Sequence, residues 1–201
     1  MTDHLISELA PINDQQPAGA DVRYEPEFEE LQGEIDKLSI PSAATGVDWH
    51  RVRSLASEIL STKSKDLLVA SYFTIADTRL NKLQGFAGGL RLYAGLLEQY
   101  WDGLYPAKKR MRGRLAAVTW LIEKSEAAFE GLNIEPVSAD YVLSLKNVLA
   151  RIDTVLSKNC DDAPLLRPLE RIIEDIPISE EVVAAEPEPQ AETPSESDNK
   201  A

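Results

Sequence analysis

The chain has 201 residues, of which 43% are hydrophobic, and it carries a formal net charge of −13 at pH 7. This length suits one domain plus an appendage, and the negative charge argues against broad binding to nucleic acid or anionic lipid, which requires clustered Lys and Arg. The single cysteine, Cys160, excludes an internal disulfide. With no spacing typical of a metal site, no signal peptide and no apolar run long enough for a membrane span, we expect a cytoplasmic protein without cofactors.

The first predicted elements are short helical segments separated by loops. An amphipathic turn at His4–Leu9 stops at Pro11, and Asn13–Gly19 has the Asn, Asp, Pro and Gly content of a loop. Helix resumes near Pro26, with apolar residues at helical spacing, and breaks at Pro41–Gly46.

The middle of the chain indicates the centre of a helical bundle. Asp48 is the expected N-cap of one helix and Ser64 that of the next. Leu67–Leu80 is apolar on most sides, which is typical of a central and deeply buried helix. Phe86–Trp101 continues helically despite four glycines, and because a glycine within a helix costs about 1 kcal/mol, we interpret them as close packing positions. These are Gly85, Gly88, Gly89 and Gly95. A phosphate-binding loop is the disfavoured alternative, since GFAGG lacks the lysine and the strand of such a loop.

Three further amphipathic helices follow, and no strand pattern is present. Their apolar stripes begin at Leu115, at Val142 and at Leu165, the last one opened by Pro164. Together the elements predict an all-α fold, an antiparallel bundle of about seven helices over residues 1–180. Residues 181–201 are rich in Pro, Glu, Ser and Thr without apolar periodicity, which predicts a disordered acidic tail or linker.

Several stretches of this sequence, taken in order, resemble one protein family. They are QQPAGADVRYEPEFEEL at Gln15–Leu31, the helical region Asp48–Leu80, FAGGLRLYAGLLEQYWDGLYP at Phe86–Pro106 and RLAAVTWL at Arg114–Leu121. They cover most of residues 5–125. The family is the ImpA-type N-terminal domain of TssA-like proteins, which are components of the bacterial type VI secretion machine.

The resemblance implies a non-catalytic docking domain. Members of the family contact baseplate, membrane-complex, sheath and tube proteins during tail assembly, and they oligomerise through C-terminal domains absent from this sequence. The alternative in the same machine is a TagA-like accessory protein, which shares the N-terminal domain but stops or anchors the sheath. In the family a Pro/Glu-rich linker follows this domain, so either the chain has been shortened inside that linker or a natural short form exists. A free-standing adaptor acting through its acidic tail is a third possibility.

Two candidate partner-binding features lie close together after the helix that ends near Trp101. The first is an aromatic turn formed by Trp101, Leu104, Tyr105 and Pro106. Trp and Tyr are favoured interface anchors, although core packing is the preferred interpretation for Trp101. The second is a basic cluster of Lys108, Lys109, Arg110, Arg112 and Arg114. Cations at a helix start oppose the helix dipole, so its counterpart is an acidic partner, the chain's own tail or neighbouring carboxylates.

A third candidate feature is the loop residues Asp21, Arg23 and Tyr24. They either face a partner or serve the fold, with Asp21 pairing with Arg23 and Tyr24 covering the core edge, and the structural role is preferred. Catalysis is the rejected alternative. His4 and His50 occur in separate regions without an obvious partner, so we expect no enzyme. A small helical hydrolase, which requires a deep pocket, is the competing hypothesis of another class.

Overall fold

The computed structural model describes residues 7–40 and 45–179. The predicted tail, its boundary at residue 180, His4 and most of the predicted break after Ile40 lie outside these residues. The described part is an all-helical bundle without a β-strand, which confirms the predicted fold class. Its helices are α1 (described over residues 7–9), α2 (Pro26–Asp36), α3 (Trp49–Thr62), α4 (Leu67–Tyr100), α5 (Met111–Phe129), α6 (Ala139–Asn159) and α7 (Arg167–Glu174), with 3₁₀ turns at Lys37–Ser39 and Lys108–Arg110.

The helix starts agree with the sequence in one case and differ in another. Asp48 caps α3 as predicted, because its carboxylate accepts a hydrogen bond from the Arg51 backbone N–H at 3.0 Å. Ser64 was the wrong cap for α4. The cap is Asp66, whose carboxylate accepts from two backbone N–H groups of the first turn. The helix starts later because the backbone N–H and carbonyl of Lys65 are both bonded to segments outside α4.

Helix α4 reverses its direction at Lys82, where the backbone has φ 52° and ψ −132°. A Cβ placed on Gly89 would lie 2.4 Å from the Thr74 side chain. In a straight helix these two residues would be about 22 Å apart along the axis. The arms of α4, residues 67–81 and 83–100, therefore lie antiparallel as a tight helical hairpin.

Glycines make this close contact possible. A Cβ on Gly85 would lie 2.0 Å from the carbonyl oxygen of Asp77, and one on Gly95 would lie 2.7 Å from the Leu9 side chain. The interpretation of Gly85, Gly89 and Gly95 as packing positions is thus confirmed. Both arms of α4 are largely buried and pack against α3, α5 and α6, so the predicted central position is also confirmed.

Because successive helices alternate in direction, the bundle has two ends. The junction end contains the start of α4, the end of its second arm and the start of α5. The tip end contains Lys82 and the loop between α5 and α6. The described chain also finishes at the tip end, where Ser179 N–H donates to the Val137 carbonyl and Val137 N–H donates to Pro177. Helix α7 begins at Arg167, later than the predicted start behind Pro164.

Candidate functional site

Three chain segments meet at the junction end through their backbones. The Lys65 N–H donates to the Ala18 carbonyl at 2.8 Å, and the Lys65 carbonyl accepts from the Tyr105 N–H at 2.9 Å. Gly19 has φ 74°, and a Cβ there would lie 2.0 Å from the backbone carbonyl oxygen of Lys63. Glycine is therefore required for the loop to approach so closely. Parts of the sequence that are far apart along the chain form one interlocked junction.

Arg114 binds the turn of this junction from the inside. It is only 1% exposed, and its guanidinium donates to the carbonyl oxygens of Trp101, Leu104 and Pro106 at 2.7, 2.6 and 2.7 Å. The guanidinium carbon also lies 4.9 Å from the centroid of the Trp101 ring. Burial lowers the pKa of Arg114 from its ordinary value. The sequence grouped Arg114 with partner-binding cations, whereas the structure gives it carbonyl partners within its own chain.

The aromatic turn lies mostly in the interior. Trp101 is 9% exposed, Leu104 and Pro106 are buried, and Tyr105 is half-buried. The preferred interpretation of Trp101 as a core residue is confirmed. Of the four side chains proposed for docking in this turn, only Tyr105 presents appreciable surface to a partner.

Two buried charges at the junction were missed by sequence reasoning. The Lys65 ammonium donates to the carbonyl oxygens of Glu8 and Leu60 at 2.6 and 2.5 Å, and burial lowers its pKa to about 8. Asp66 is fully buried, which raises the pKa of its carboxyl group, and the nearby Arg23 guanidinium opposes this rise at 3.8 Å. The polar run Ser64–Asp66 between two apolar helices was the one available signal.

The loop after Gly19 is attached to the bundle, with one exception. Asp21 accepts from the Arg23 backbone N–H at 3.2 Å and pairs with Arg110 at 3.5 Å, so its carboxylate does not form the expected ion pair with the Arg23 guanidinium. Arg23 instead faces Asp66 and lies over the Phe28 ring. Tyr24 does not cover the core edge, because its side chain is 90% exposed. The turn that binds the Asp21 carboxylate locally leaves Tyr24 directed outward.

The remaining basic residues are exposed, and one of them, Arg110, is paired with Asp21 on the loop that also carries Tyr24. Lys108 pairs with Asp102 at 2.7 Å, and Arg110 pairs with Asp21. Within residues 7–40 and 45–179, Lys109 and Arg112 have neither an ion pair nor a hydrogen bond through their side chains. We define the junction patch as the exposed side chains of Tyr24, Lys108, Lys109, Arg110 and Arg112.

The described ranges contain no group of three or more His, Cys, Asp and Glu side chains that could hold a metal ion. No helix in these ranges combines the length and the apolar character needed to cross a membrane. His50 is exposed and lines an open hollow with Arg53, whose guanidinium is already paired with Asp77.

Known proteins similar to this chain belong to one secretion system. Residues 9–123 match the family described as ImpA, N-terminal, type VI secretion system. Over 104 residues, 49% of this chain, the sequence is 40% identical to the type VI secretion system component TssA1 of Pseudomonas aeruginosa, and it covers 30% of that relative's length.

A solved structure shows the same fold. It is the N-terminal domain, including the conserved ImpA_N region, of the TssA component of the type VI secretion system from Burkholderia cenocepacia. The similarity has a TM-score of 0.67 at 20% sequence identity, and it covers 85% of this chain and 92% of that one. The family match extends over more than half of the sequence and includes all three segments of the junction. The chain therefore belongs to the ImpA N-terminal family of TssA-like type VI secretion system proteins.

Proposed function

We propose that this domain is a non-catalytic docking arm that recruits other proteins of the type VI secretion machine through its junction patch. The supporting observation is the position of the patch relative to the end of the described chain. Ser179, the last described residue, lies at the tip end, whereas the patch lies at the junction end. Helix α5 separates the two ends by its 19 residues, or about 28 Å. A domain attached through residues beyond Ser179 thus presents the patch away from its attachment.

The partners in this proposal are baseplate, membrane-complex, sheath or tube proteins, as the family resemblance implies. The Pseudomonas relative is much longer than this chain, so the arm would belong to a larger protein whose other regions oligomerise. Several arms on flexible linkers would then bind one assembly at the same time. Such multivalency raises overall affinity without any additional contact in the individual site.

Binding of residues 1–201 to each purified machine protein tests this function. We expect saturable binding to one component and about tenfold weaker binding by the double variant Tyr24→Ala, Lys109→Ala, because exposed aromatic and charged residues are typical interface anchors. The matched control is Leu143→Ala, Lys146→Ala, which removes the same kinds of exposed side chain from α6. Binding by no component, or equal loss in the control, would contradict a docking role for the patch.

A further inference from the structure

We propose that the junction patch takes an acidic protein segment, whose carboxylates pair with Lys109 and Arg112 while an apolar side chain packs on Tyr24. This inference rests on the proposed function and names the chemistry of the partner at the same surface. The charges of this surface are unbalanced. The chain as a whole carries −13, yet four exposed cations occur within five residues here. Only two of them, Lys108 and Arg110, are neutralised by carboxylates of the described chain.

The geometry of the turn separates the free cations from the paired ones. Residues 108–110 form a 3₁₀ turn, in which three successive side chains point in directions about 120° apart. Lys108 is directed to Asp102 and Arg110 to Asp21, so Lys109 points away from both acids. Its ammonium and the guanidinium of Arg112 are the two positive groups that remain available to a partner.

The fold itself does not explain these two charges. Helix α5 starts without a capping side chain and without an acidic residue in its first turn. Cations at this position oppose the helix dipole, whereas Asp or Glu would favour the helix. Arg114 serves the fold through its three carbonyl bonds, but Lys109 and Arg112 bind nothing in the described chain. Residues that disfavour the local helix and make no compensating contact within the fold are typical of binding surfaces.

The charge pattern favours an acidic protein segment over a nucleic acid as the ligand. A guanidinium binds a carboxylate through two parallel hydrogen bonds, and Tyr24, on the loop that pairs with Arg110, offers rigid apolar area. The chain is acidic as a whole, so an acidic segment gains most where exposed cations are clustered and lack carboxylate partners, as at the patch. A nucleic acid carries continuous charge along its length and would meet the acidic surface beyond these few cations.

The experiment measures binding of a fluorescein-labelled peptide of about twelve residues, composed of Glu and Asp around one central Leu, to residues 1–201. A peptide with Gln and Asn in place of the acids and a single-stranded DNA of similar length are the comparison probes. We expect the acidic peptide to bind and its affinity to fall about tenfold between about 50 mM and about 300 mM NaCl. The neutral peptide and the DNA should bind at least about tenfold more weakly than the acidic peptide.

Charge-reversed variants provide the decisive comparison. The double variant Lys109→Glu, Arg112→Glu should weaken peptide binding about tenfold or more. The control Lys146→Glu, Arg171→Glu makes the same change in net charge on α6 and α7 and should keep the affinity for the peptide. Circular dichroism and thermal unfolding check that both variants stay folded. Equal loss in both variants, or stronger binding of the DNA, would overturn the inference. If the acidic peptide does not bind but a machine protein still does, only the proposed acidic chemistry of the partner is overturned. The docking function would then still stand.

The chain's own acidic residues after Ser179 supply the last comparison. Replacing Glu180, Glu181, Glu186, Glu188, Glu192 and Glu196 by Gln should leave the affinity for the peptide within about twofold. An increase of about tenfold would mean that this segment of the same chain competes for the patch, which would overturn the assignment to a partner protein.

Discussion

Arg112 and Arg114 are two residues apart and have opposite environments. Arg114 satisfies three buried carbonyl groups, whereas Arg112 is exposed. We expect Arg114→Lys to lower the free energy of unfolding by about 3 kcal/mol, because an ammonium cannot reach all three carbonyls in one plane. Arg112→Lys should change it by less than about 0.5 kcal/mol. Urea denaturation of both variants measures the difference, and similar values would contradict the structural role of Arg114.

Lys82 has a strained backbone in an exposed position. Its φ of 52° with ψ of −132° is favourable only for glycine, and residues held in such regions store about 1–3 kcal/mol. Lys82→Gly should therefore raise the free energy of unfolding by about 1 kcal/mol, after the entropic cost of glycine is subtracted. Lys146→Gly, in the regular part of α6, should lower it by about 1 kcal/mol. A loss of stability in both variants would mean that Lys82 is not strained.

The buried ammonium of Lys65 predicts a dependence of stability on pH. Its folded pKa of about 8 lies below its ordinary value of 10.5, so between these values the unfolded chain binds more protons. The contribution of Lys65 to stability therefore rises with pH from about 8 toward about 10, by at most about 1.4 kcal/mol per pH unit. Denaturation at about pH 8 and about pH 9.5 should show this rise in the native sequence and not in Lys65→Met. The same slope in both proteins would exclude Lys65 as its origin.

Among the helices, the hairpin of α4 shows which predictions from the sequence hold in the folded chain and which do not. The sequence predicted two apolar helices, Leu67–Leu80 and Phe86–Trp101, and the two arms of α4 match them to within a few residues at each end. The reversal itself could not be predicted, because Asn81, Lys82 and Leu83 contain neither Gly nor Pro. Packing across the arms imposes a backbone conformation at Lys82 that its own preferences disfavour.

The close approach of the two arms predicts a steric effect at Gly85. A methyl group would overlap the Asp77 carbonyl, so Gly85→Ala should lower the free energy of unfolding by about 2–3 kcal/mol. Gly33→Ala is the matched control, because Gly33 lies on the exposed face of α2 with nothing within 4 Å of the added atom. It should raise stability by up to about 1 kcal/mol, since alanine favours a helix. Thermal unfolding of both variants measures this, and a stabilising Gly85→Ala would contradict the hairpin packing.

In the whole molecule, the last stabilising contacts of the described chain define where the domain can be shortened. Ile176 is buried and Ser179 is bonded to Val137 at the end of the described residues. Ending the chain after Glu180 should leave the unfolding midpoint unchanged. Ending it after Asp175 removes the apolar burial of Ile176 and the two bonds at Val137, and should cost about 2–4 kcal/mol. Calorimetry of both shortened chains measures this, and an equal loss would move the domain boundary beyond residue 180.

The sequence alone determined the helical class, the order of the helices, the cap at Asp48 and the family, because these depend on spacing and motifs that are local along the chain. The tertiary structure alone decided which residues of each candidate site are accessible. Lys65 finds its carbonyl partner in Glu8, 57 residues earlier, and Arg114 binds a turn that lies 8 to 13 residues before it. Burial of a charge depends on such distant partners, which no periodic pattern records. For that reason the sequence grouped Arg114 with the exposed cations and expected Tyr24 at the core edge, whereas the folded chain buries the first and exposes the second.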